Sequence, residues 1–355
     1  MKRNNYYELT PAQKRTILEQ TAIKQSLPKQ AIEKDLWVTT ILQIVFGLPC
    51  ADSLVFKGGT SLSKVWKLIK RFSEDIDLAI DRTMFNLEGD LTKKQVKKLR
   101  KASSIYVRDT LFQQIVDAVN RTSLKDMCQI EVQPDGEGVD TYPEPRVINI
   151  KYDSVFDDKL SYISPVVKIE TGARSLLEPS VNTKISSMVE KTFPSTNTTI
   201  ADNFVKTAIA EKTFLEKAFL LHELFSVNDV VDANRRSRHI YDLHMMIEGG
   251  IAGSAIQNDD LWETIRQHRS MLTSMKGVDY SIEIRDDIKL VPPSGSIDNW
   301  WSDYEDMTNA MIYDNPPDFW QLVESMESLQ KKFKDHIDKK DKGEDNNYGN
   351  KCISI

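Results

Sequence analysis

The chain has 355 residues, of which 40% are hydrophobic and 28% charged, and this length allows a sizeable core and predicts two domains. No apolar run reaches the about 18 residues of a membrane span, the polar N-terminus lacks a signal peptide, and three distant cysteines argue against a disulfide framework, so we expect a cytoplasmic protein without a membrane segment. The net charge of −6 argues against a general nucleic-acid surface; TKKQVKKLRK, residues 92–101, is a candidate basic patch, although a solvated helix face is the commoner reason for such a run.

The first part of the chain predicts two helices and the start of an α/β core. Thr10 and Pro11 have the residue types of a helix N-cap and first helical position, and this helix extends to about residue 25. A second helix ends before Gly47. The elements predicted next are a buried strand at 53–56, a turn at Gly58 and Gly59, a helix at 60–69, and a half-buried strand at 75–80 with alternating polar and apolar residues.

The remainder predicts more strands and then mostly helices. After a helix at 91–120, strands are expected at 128–132, 146–152 and 165–171, followed by periodic helical segments at 201–225, 238–248, 299–311 and 317–333. We therefore predict an α+β fold, a small mixed sheet with flanking helices and a helical C-terminal domain. The predicted divisions are a helical lead at 1–50, a core at 51–178, a helical domain at 179–335 and a disordered tail at 336–355.

The order of strand, Gly-Gly-Thr, helix and Asp-x-Asp strand indicates a site for a nucleoside triphosphate and a divalent metal. Gly58 and Gly59 let the backbone approach a phosphate without a Cβ in the way, and the helix from Thr60 points its amides at an anion. Residues two apart on a strand share a face, so Asp75 and Asp77 present two carboxylates together. Mg²⁺ favours one or two carboxylates with phosphate oxygens.

Each part of this motif has a plain structural alternative. Gly-Gly-Thr is often only a turn, and Asp-x-Asp is often a solvent-facing strand edge, but the ordered set is harder to explain as scaffold. The stretch is not a Walker-type loop, because Lys64 follows Ser63 with no glycine before it. Glu74 points away from the two aspartates and is predicted to be solvated or salt-bridged.

These stretches resemble the polymerase-β-like nucleotidyltransferases and, more narrowly, the AbiEii/AbiGii toxin family of bacterial abortive-infection and toxin–antitoxin systems that act in phage defence. The resemblance covers residues from about 30 to 335. The stretches that carry it are IEKDLWVTTIL (32–42), FKGGTSLSK (56–64), RFSEDIDL (71–78), VVKIETGARSLLEP (166–179), KTFLEKAFLLHE (212–223) and SRHIYDLHMM (237–246). It implies a polymerase-β-like core with a helical C-terminal domain.

The resemblance also implies further residues of the site. Such enzymes usually have a third carboxylate on a neighbouring strand, and Glu170 is the best candidate, with an ordinary strand-edge glutamate as the alternative. Ser73 is assigned to nucleotide binding with Gly58, Gly59 and Thr60. Arg174 is assigned there too, and a salt bridge is an equally good explanation for it.

In the helical half, the resemblance and the helical pattern single out Lys217 and Asp242. Lys217 lies close to the apolar side of its helix, where a lysine must snorkel or have an anionic partner, and a triphosphate is such a partner. Asp242 could assist the nucleophile or position Lys217, or be a favourable charge near a helix N-terminus. Lys212 is predicted to be a surface lysine. His239 stands where the family usually has an acidic residue, and it is predicted to be structural, like His222 (five scattered histidines give no zinc pattern).

The resulting expectation is a nucleotidyltransferase that uses an NTP as co-substrate and Mg²⁺, or Mn²⁺, held by Asp75 and Asp77. An acceptor hydroxyl attacks the α-phosphate in line and pyrophosphate leaves, without a covalent enzyme intermediate. The resemblance implies a toxin with a cognate antitoxin protein and an RNA acceptor, with tRNA 3′ ends a leading possibility. Two alternatives stay open: a small-molecule nucleotidyltransferase of the antibiotic-modifying kind, and a non-catalytic module that binds nucleotide or RNA.

Overall fold

The structure is a computed structural model, and it describes residues 4–138, 141–158, 163–227, 232–312 and 315–341. Contacts between Cα atoms divide the chain into two compact units. The first is Met1–Ile209 with Ala310–Asp314, and the second is Ala210–Asn309 with Asn315–Ile355. In the ranges given above, no helix combines the length and the apolar character that crossing a membrane would require.

The first unit contains a seven-stranded mixed sheet and a small two-stranded one. The strands are β1 (Asn4–Asn5), β2 (Leu54–Lys57), β3 (Asp75–Ile80), β4 (Cys128–Val132), β5 (Arg146–Tyr152), β6 (Val166–Gly172), β7 (Ser180–Lys184), β8 (Thr196–Asn197) and β9 (Phe204–Ala208). The large sheet has the order β4-β5-β6-β3-β2-β9-β7. Strand β3 runs parallel to β6 and antiparallel to β2, and β2 runs parallel to β9.

Helices flank this sheet. They are α1 (Pro11–Gln25), α2 (Lys29–Phe46), α3 (Gly58–Lys64), α4 (Lys93–Tyr106), α5 (Phe112–Asn120) and α6 (Met188–Thr192). A π-helical segment, Val107–Leu111, joins α4 to α5, so the single helix predicted at 91–120 is interrupted in its winding. The predicted cap of α1 is confirmed, because Thr10 and Gln13 form a capping box with Pro11 at the first position.

Helix α2 is the central helix of the first unit. Every residue from Gln30 to Val45 is buried, and Trp37 stacks on Tyr152 of β5 with 4.8 Å between ring centroids. Each large apolar side chain buried in this way contributes about 1.5–3 kcal/mol to stability. The predicted division set residues 1–50 apart as a helical lead, whereas the contacts place this helix inside the first unit.

The two faces of the sheet differ in character around β3 and β6. Ile76 and Leu78 on β3 and Ile169 on β6 are buried. The alternating positions between them are polar and partly exposed, namely Asp75, Asp77, Lys168 and Glu170. The alternation predicted for residues 75–80 is therefore present, and it gives the sheet one apolar and one charged face.

The second unit is helical in the described ranges. Its helices are α7 (Ala210–Val227), α8 (Ser237–Glu248), α9 (Ile251–Gln257), α10 (Asp259–Leu272), α11 (Ile297–Met311) and α12 (Phe319–Asp341). The core includes Phe219 and Trp262, whose ring centroids lie 4.6 Å apart. The fold class is α+β with a helical C-terminal region, as predicted.

The boundaries differ from the predicted divisions in two places. The first unit continues to Ile209 instead of ending at residue 178, because β7 and β9 add two strands to the edge of the sheet. Strand β9, Phe204–Ala208, lies within the segment 201–225 that was predicted to be helical, so that prediction is wrong for these residues. Helix α12 continues to Asp341, so residues 336–341 of the predicted disordered tail are helical. Residues 342–355 lie outside the described residues.

Candidate active site

The glycine turn, Gly58 and Gly59 at the start of α3 directly after β2, is shaped by the side chains that press against it. Gly58 has a φ of +78°, and a Cβ at this position would overlap the carboxylate of Asp77. A Cβ on Gly59 would lie 2.7 Å from Nη2 of Arg71 and 2.9 Å from Oγ of Ser73. The positive φ and the close approach both require glycine, so this turn holds Asp77, Arg71 and Ser73 directly against the backbone.

The strand register places three carboxylates on one face. Asp77 of β3 is the Cα partner of Glu170 on β6, and Asp75 is two residues from Asp77 on the same strand face. Cross-strand partners project to the same side of a sheet. The candidate third carboxylate therefore lies beside Asp77, on the neighbouring strand where the sequence analysis expected one.

Lysines lie in the same register on this face. Lys57 of β2 is the partner of Asp77, and Lys168 of β6 is the partner of Asp75. The carboxylates thus share the face with positive charge, which moderates their mutual repulsion. Lys57 and Lys168 were not predicted as site residues, since strand register is not visible in a single sequence.

Thr60 and Ser73 connect α3 to the start of β3. The Thr60 hydroxyl donates to the backbone oxygen of Asp75 at 2.5 Å and lies 2.9 Å from the Ser73 hydroxyl. These bonds fix the backbone of Asp75 against the glycine turn. Thr60 and Ser73, which the sequence assigned to nucleotide binding, therefore also stabilise the local structure.

Beside this turn lies a small cavity lined mainly by cationic and hydroxyl side chains. It measures about 50 Å³. Lys64 is held there by Asp35, with Nζ 2.5 Å from Oδ1. Burial and the neighbouring Lys64 lower the pKa of Lys191. The polar lining residues are Asp35, Thr60, Ser63, Lys64, Arg71, Ser73 and Lys191.

None of the three cations, Lys64, Arg71 and Lys191, was predicted as a site residue, although Lys64 ends the quoted stretch FKGGTSLSK. Arg71 begins the quoted stretch RFSEDIDL, so its place in that motif was an available signal. Lys191 lies on α6, far from every quoted motif, and no sequence signal pointed to it.

Glu74 forms a buried ion pair with Lys34, which confirms the salt-bridged alternative. Lys34 also donates to the backbone oxygen of Ser164 at 3.0 Å. Burial lowers the pKa of Lys34, and Glu74 opposes that shift. This pair ties α2 to the residues just before Asp75, which supports the geometry of the carboxylate face.

Arg174 is engaged by Glu144. Its Nε lies 2.5 Å from Oε2 of Glu144, and its Nη2 donates to the backbone oxygen of the same residue at 2.8 Å. The same carboxylate accepts a bond from the backbone amide of Ala173 at 2.7 Å. The salt bridge considered for Arg174 is present, and a contact with nucleotide stays a prediction.

In the second unit, Lys217 and Asp242 form an ion pair between α7 and α8. Nζ of Lys217 lies 2.9 Å from Oδ2 of Asp242, and the two side chains are 10% and 0% exposed. Nδ1 of His239 lies 3.4 Å from the same Nζ. Asp242 is thus the ion-pair partner of Lys217, and the catalytic roles of both residues stay predictions. A triphosphate is therefore not needed to explain the burial of this lysine.

Lys212 is not a surface residue, so that prediction is wrong. Its side chain is fully buried and lies 3.4 Å from Oε1 of Glu216, one helical turn away. The helical periodicity correctly placed Lys217 close to the apolar side of α7. It did not show that residues beyond that side, including Lys212, are buried as well. His222 has a structural role, as predicted, because its Nδ1 accepts a bond from the Lys289 amide at 3.0 Å and burial lowers its pKa.

The residues present are compatible with a divalent cation that also binds phosphate. Over the described residues, no group of three or more His, Cys, Asp and Glu side chains is arranged to hold a metal ion without help. Mg²⁺ usually takes one or two carboxylates and completes its shell with water and substrate phosphates. Asp75 and Asp77, next to the glycine turn, are a donor set of that kind.

Comparison with known proteins gives two findings. The family model for the nucleotidyl transferase AbiEii toxin of type IV toxin–antitoxin systems matches residues 43–325. Among solved structures, the chain is similar to MenT4, a nucleotidyltransferase toxin from Mycobacterium tuberculosis H37Rv, with 15% sequence identity, a TM-score of 0.51 and coverage of 93% of this chain and 90% of that chain. At that identity the likeness shows the fold alone. A search of curated proteins finds no match.

Proposed function

Because the chain belongs to the AbiEii family of nucleotidyltransferase toxins of type IV toxin–antitoxin systems, we propose that it transfers a nucleoside monophosphate from an NTP to a hydroxyl of RNA, with Asp75 and Asp77 at the reaction centre. Membership makes the chain a nucleotidyltransferase toxin and implies an antitoxin partner. The acceptor, the metal and the residue roles are the proposed part.

The observation that carries this proposal is the position of Asp77. Its carboxylate lies against Gly58, at the turn where the chain enters α3, and its register partner is Glu170. A phosphate near the glycine backbone would therefore also be near these carboxylates. Three partly exposed acids share this face with Lys57 and Lys168, and a bound cation would offset the negative charge that the two lysines leave.

Asp75 and Asp77 are the residues that would hold Mg²⁺, or Mn²⁺. When bound, such an ion neutralises charge on the phosphates and lowers the pKa of an attacking hydroxyl. Glu170, the register partner of Asp77, would orient or deprotonate the acceptor hydroxyl. The acceptor oxygen forms a bond to the α-phosphorus while the bond to the pyrophosphate oxygen breaks, and the hydroxyl proton passes to a carboxylate or to solvent.

The cationic cavity beside the glycine turn suits the outer phosphates of the NTP. Lys64, Arg71 and Lys191 supply positive charge, and Thr60 and Ser73 supply hydroxyl donors. The volume of about 50 Å³ is several times the about 10–15 Å³ that one water requires, so we expect it to admit a phosphate group rather than a nucleobase. An anion there would oppose the shift that lowers the pKa of Lys191.

RNA is the acceptor that the family resemblance favours, and a tRNA 3′ end supplies the free hydroxyl this chemistry needs. A small molecule of the antibiotic type is the second candidate. A non-catalytic binding module is disfavoured because both aspartates of the motif are present on the sheet face.

The direct test incubates the protein with each of the four α-labelled NTPs, Mg²⁺ and total RNA. We expect label in an RNA band that depends on metal and on both aspartates, so that Asp75→Asn and Asp77→Asn lose the signal. Asp52→Asn, an exposed aspartate of the same unit, is the matched control. Label on no RNA with any NTP would contradict an RNA acceptor, and equal labelling by Asp77→Asn would contradict the assigned centre.

A growth assay tests the link between this chemistry and toxicity. We expect induction of the wild type in bacteria, without its antitoxin, to reduce colony counts, and Asp77→Asn to restore them. Equal toxicity of the two proteins would separate the toxic effect from nucleotide transfer.

A further inference from the structure

We propose that the outer face of α4 binds the phosphate backbone of the RNA acceptor, an inference that rests on the proposed function and gives it an acceptor surface. We call this the lysine face of α4, defined by Lys93, Lys94, Lys97, Lys98 and Lys101. All five residues are exposed. At 100° per residue they fall within an arc of about 140°, so they form one continuous side of the helix.

The lysine face is not balanced by negative charge in the way that an ordinary solvated helix is. Helix α4 contains no Asp or Glu, and its pairs Lys93–Lys97, Lys94–Lys98 and Lys97–Lys101 place like charges one turn apart, which destabilises a helix. Two of the lysines stand in the first turn, where the helix dipole disfavours positive charge.

Nearby carboxylates do not compensate for this repulsion. Over the described ranges, no carboxylate lies within ion-pair distance of Lys93, Lys94, Lys97 or Lys98. The face also stands out against a chain whose net charge is −6. A local positive surface on an acidic protein is an electrostatic footprint for a polyanion.

The inner side of α4 fixes this face onto the sheet that carries Glu170. Leu99, Ser103 and Ser104 are buried, and the Ser104 hydroxyl accepts a bond from Nε of Arg146 on β5 at 2.9 Å. Strand β5 pairs with β6, with Val147 opposite Glu170. The helix is therefore a rigid part of the first unit and spans about 21 Å, a length that covers several nucleotides.

An RNA fits this face better than a membrane surface does. A helix that lies on a membrane inserts an exposed apolar side into the lipid, whereas the apolar side of α4 packs against its own sheet. A partly exposed aromatic ring accompanies the lysines, because Nζ of Lys101 lies 4.9 Å from the ring centroid of Tyr142. Lysines beside an aromatic ring suit a phosphate chain with bases that stack.

The experiment measures binding of fluorescein-labelled bulk tRNA to the full chain by anisotropy, without NTP, over a range of salt concentrations. The variant carries Lys94→Gln, Lys97→Gln and Lys98→Gln, and the matched control carries Lys331→Gln, Lys332→Gln and Lys334→Gln, three exposed lysines of helix α12. Because each lost phosphate contact removes about 0.7–0.9 from the slope of log K against log salt, we expect the slope to fall by about 2 and low-salt affinity to fall roughly tenfold to a hundredfold.

Normal tRNA affinity in the α4 variant, or an equal loss in the control, overturns the proposal. Loss of binding to phosphatidylserine vesicles with unchanged tRNA binding also overturns it and indicates a lipid surface instead. The melting temperature of the α4 variant should hold or rise, since like-charge repulsion is relieved, and this separates lost binding from misfolding.

The same assay keeps this surface distinct from the reaction centre. Asp77→Asn should bind tRNA like the wild type while losing transfer. If the wild type never transfers nucleotide but binding still depends on the lysine face, the proposed function fails and the surface stands. If the wild type transfers nucleotide while the α4 variant binds tRNA normally, the surface alone is wrong.

Discussion

The carboxylate face of the first unit, formed by Asp75, Asp77 and Glu170, and the Lys217–Asp242 pair of the second unit differ in how their charges are balanced. On the sheet, Asp75, Asp77 and Glu170 gather like charges on a partly exposed face. In the helical unit, a buried ammonium and a buried carboxylate lie 2.9 Å apart and neutralise each other. The first arrangement favours an added cation, whereas the second is complete in itself.

This difference shows that a buried charge indicates a ligand only when the chain itself does not supply the opposite charge. A lysine near an apolar helix side needs an anion, but for Lys217 the chain supplies that anion through Asp242. The grouped carboxylates have neighbouring lysines in register, and their partly exposed face lies beside the glycine turn. Four predictions test the comparison, from the largest expected effect to the smallest.

The largest effect is expected for Asp77→Asn on the carboxylate face. We expect the initial rate of nucleotide transfer to fall by about 10³-fold or more, since metal-based charge stabilisation contributes several kcal/mol. The melting temperature should hold or rise slightly because like-charge repulsion is relieved. Rates with labelled NTP and a thermal melt provide both readouts, with Asp52→Asn as control. A large drop in melting temperature would make Asp77 a structural residue.

Asp242→Asn should give the opposite result, because its main effect should be a lower free energy of unfolding. Removing the carboxylate leaves the buried ammonium of Lys217 without its ion-pair partner, which costs about 3–5 kcal/mol. Urea unfolding measures this loss, and Asp306→Asn, an exposed residue on α11, is the control. Unchanged unfolding free energy would show that the pair does not stabilise the second unit.

Lys217→Met tests whether the self-neutralised pair still takes part in catalysis. If the ammonium also stabilises phosphate charge, turnover should fall by about 10²–10³-fold, because methionine keeps the aliphatic stem and removes only the charge. Lys212 is buried and cannot be the control, so Lys332→Met on the exposed side of α12 replaces it. Transfer by Lys217→Met at the control rate would make the pair purely structural.

The smallest effect is expected when residues 342–355 are deleted. Neither the carboxylate face nor the ion pair includes this segment, and its charged sequence shows no apolar periodicity, so we expect it to add little to the fold. The melting temperature and transfer rate should both stay within error of the full chain. A large drop in either would show that the two regions depend on the end of the chain.

Local patterns in the sequence determined much of this protein. The capping residues of α1, the strand at 75–80 and the strands at 128–132 and 146–152 follow from residue types and alternation, because those signals arise from neighbours along the chain. The Gly-Gly-Thr and Asp-x-Asp pair indicated the proposed reaction centre for the same reason. The ordered set of motifs was enough to identify the family that the comparison with known proteins shows.

Tertiary structure alone decided which charges meet. Glu170 lies beside Asp77 because β3 and β6 are parallel in one particular register, and a single sequence does not encode register in any local pattern. Lys191 reaches the cavity from α6, Asp242 holds Lys217 across two helices, and Lys212 is buried because α7 is covered on more than its apolar side. Each of these is a contact between residues distant in the chain, where packing overrides local pattern.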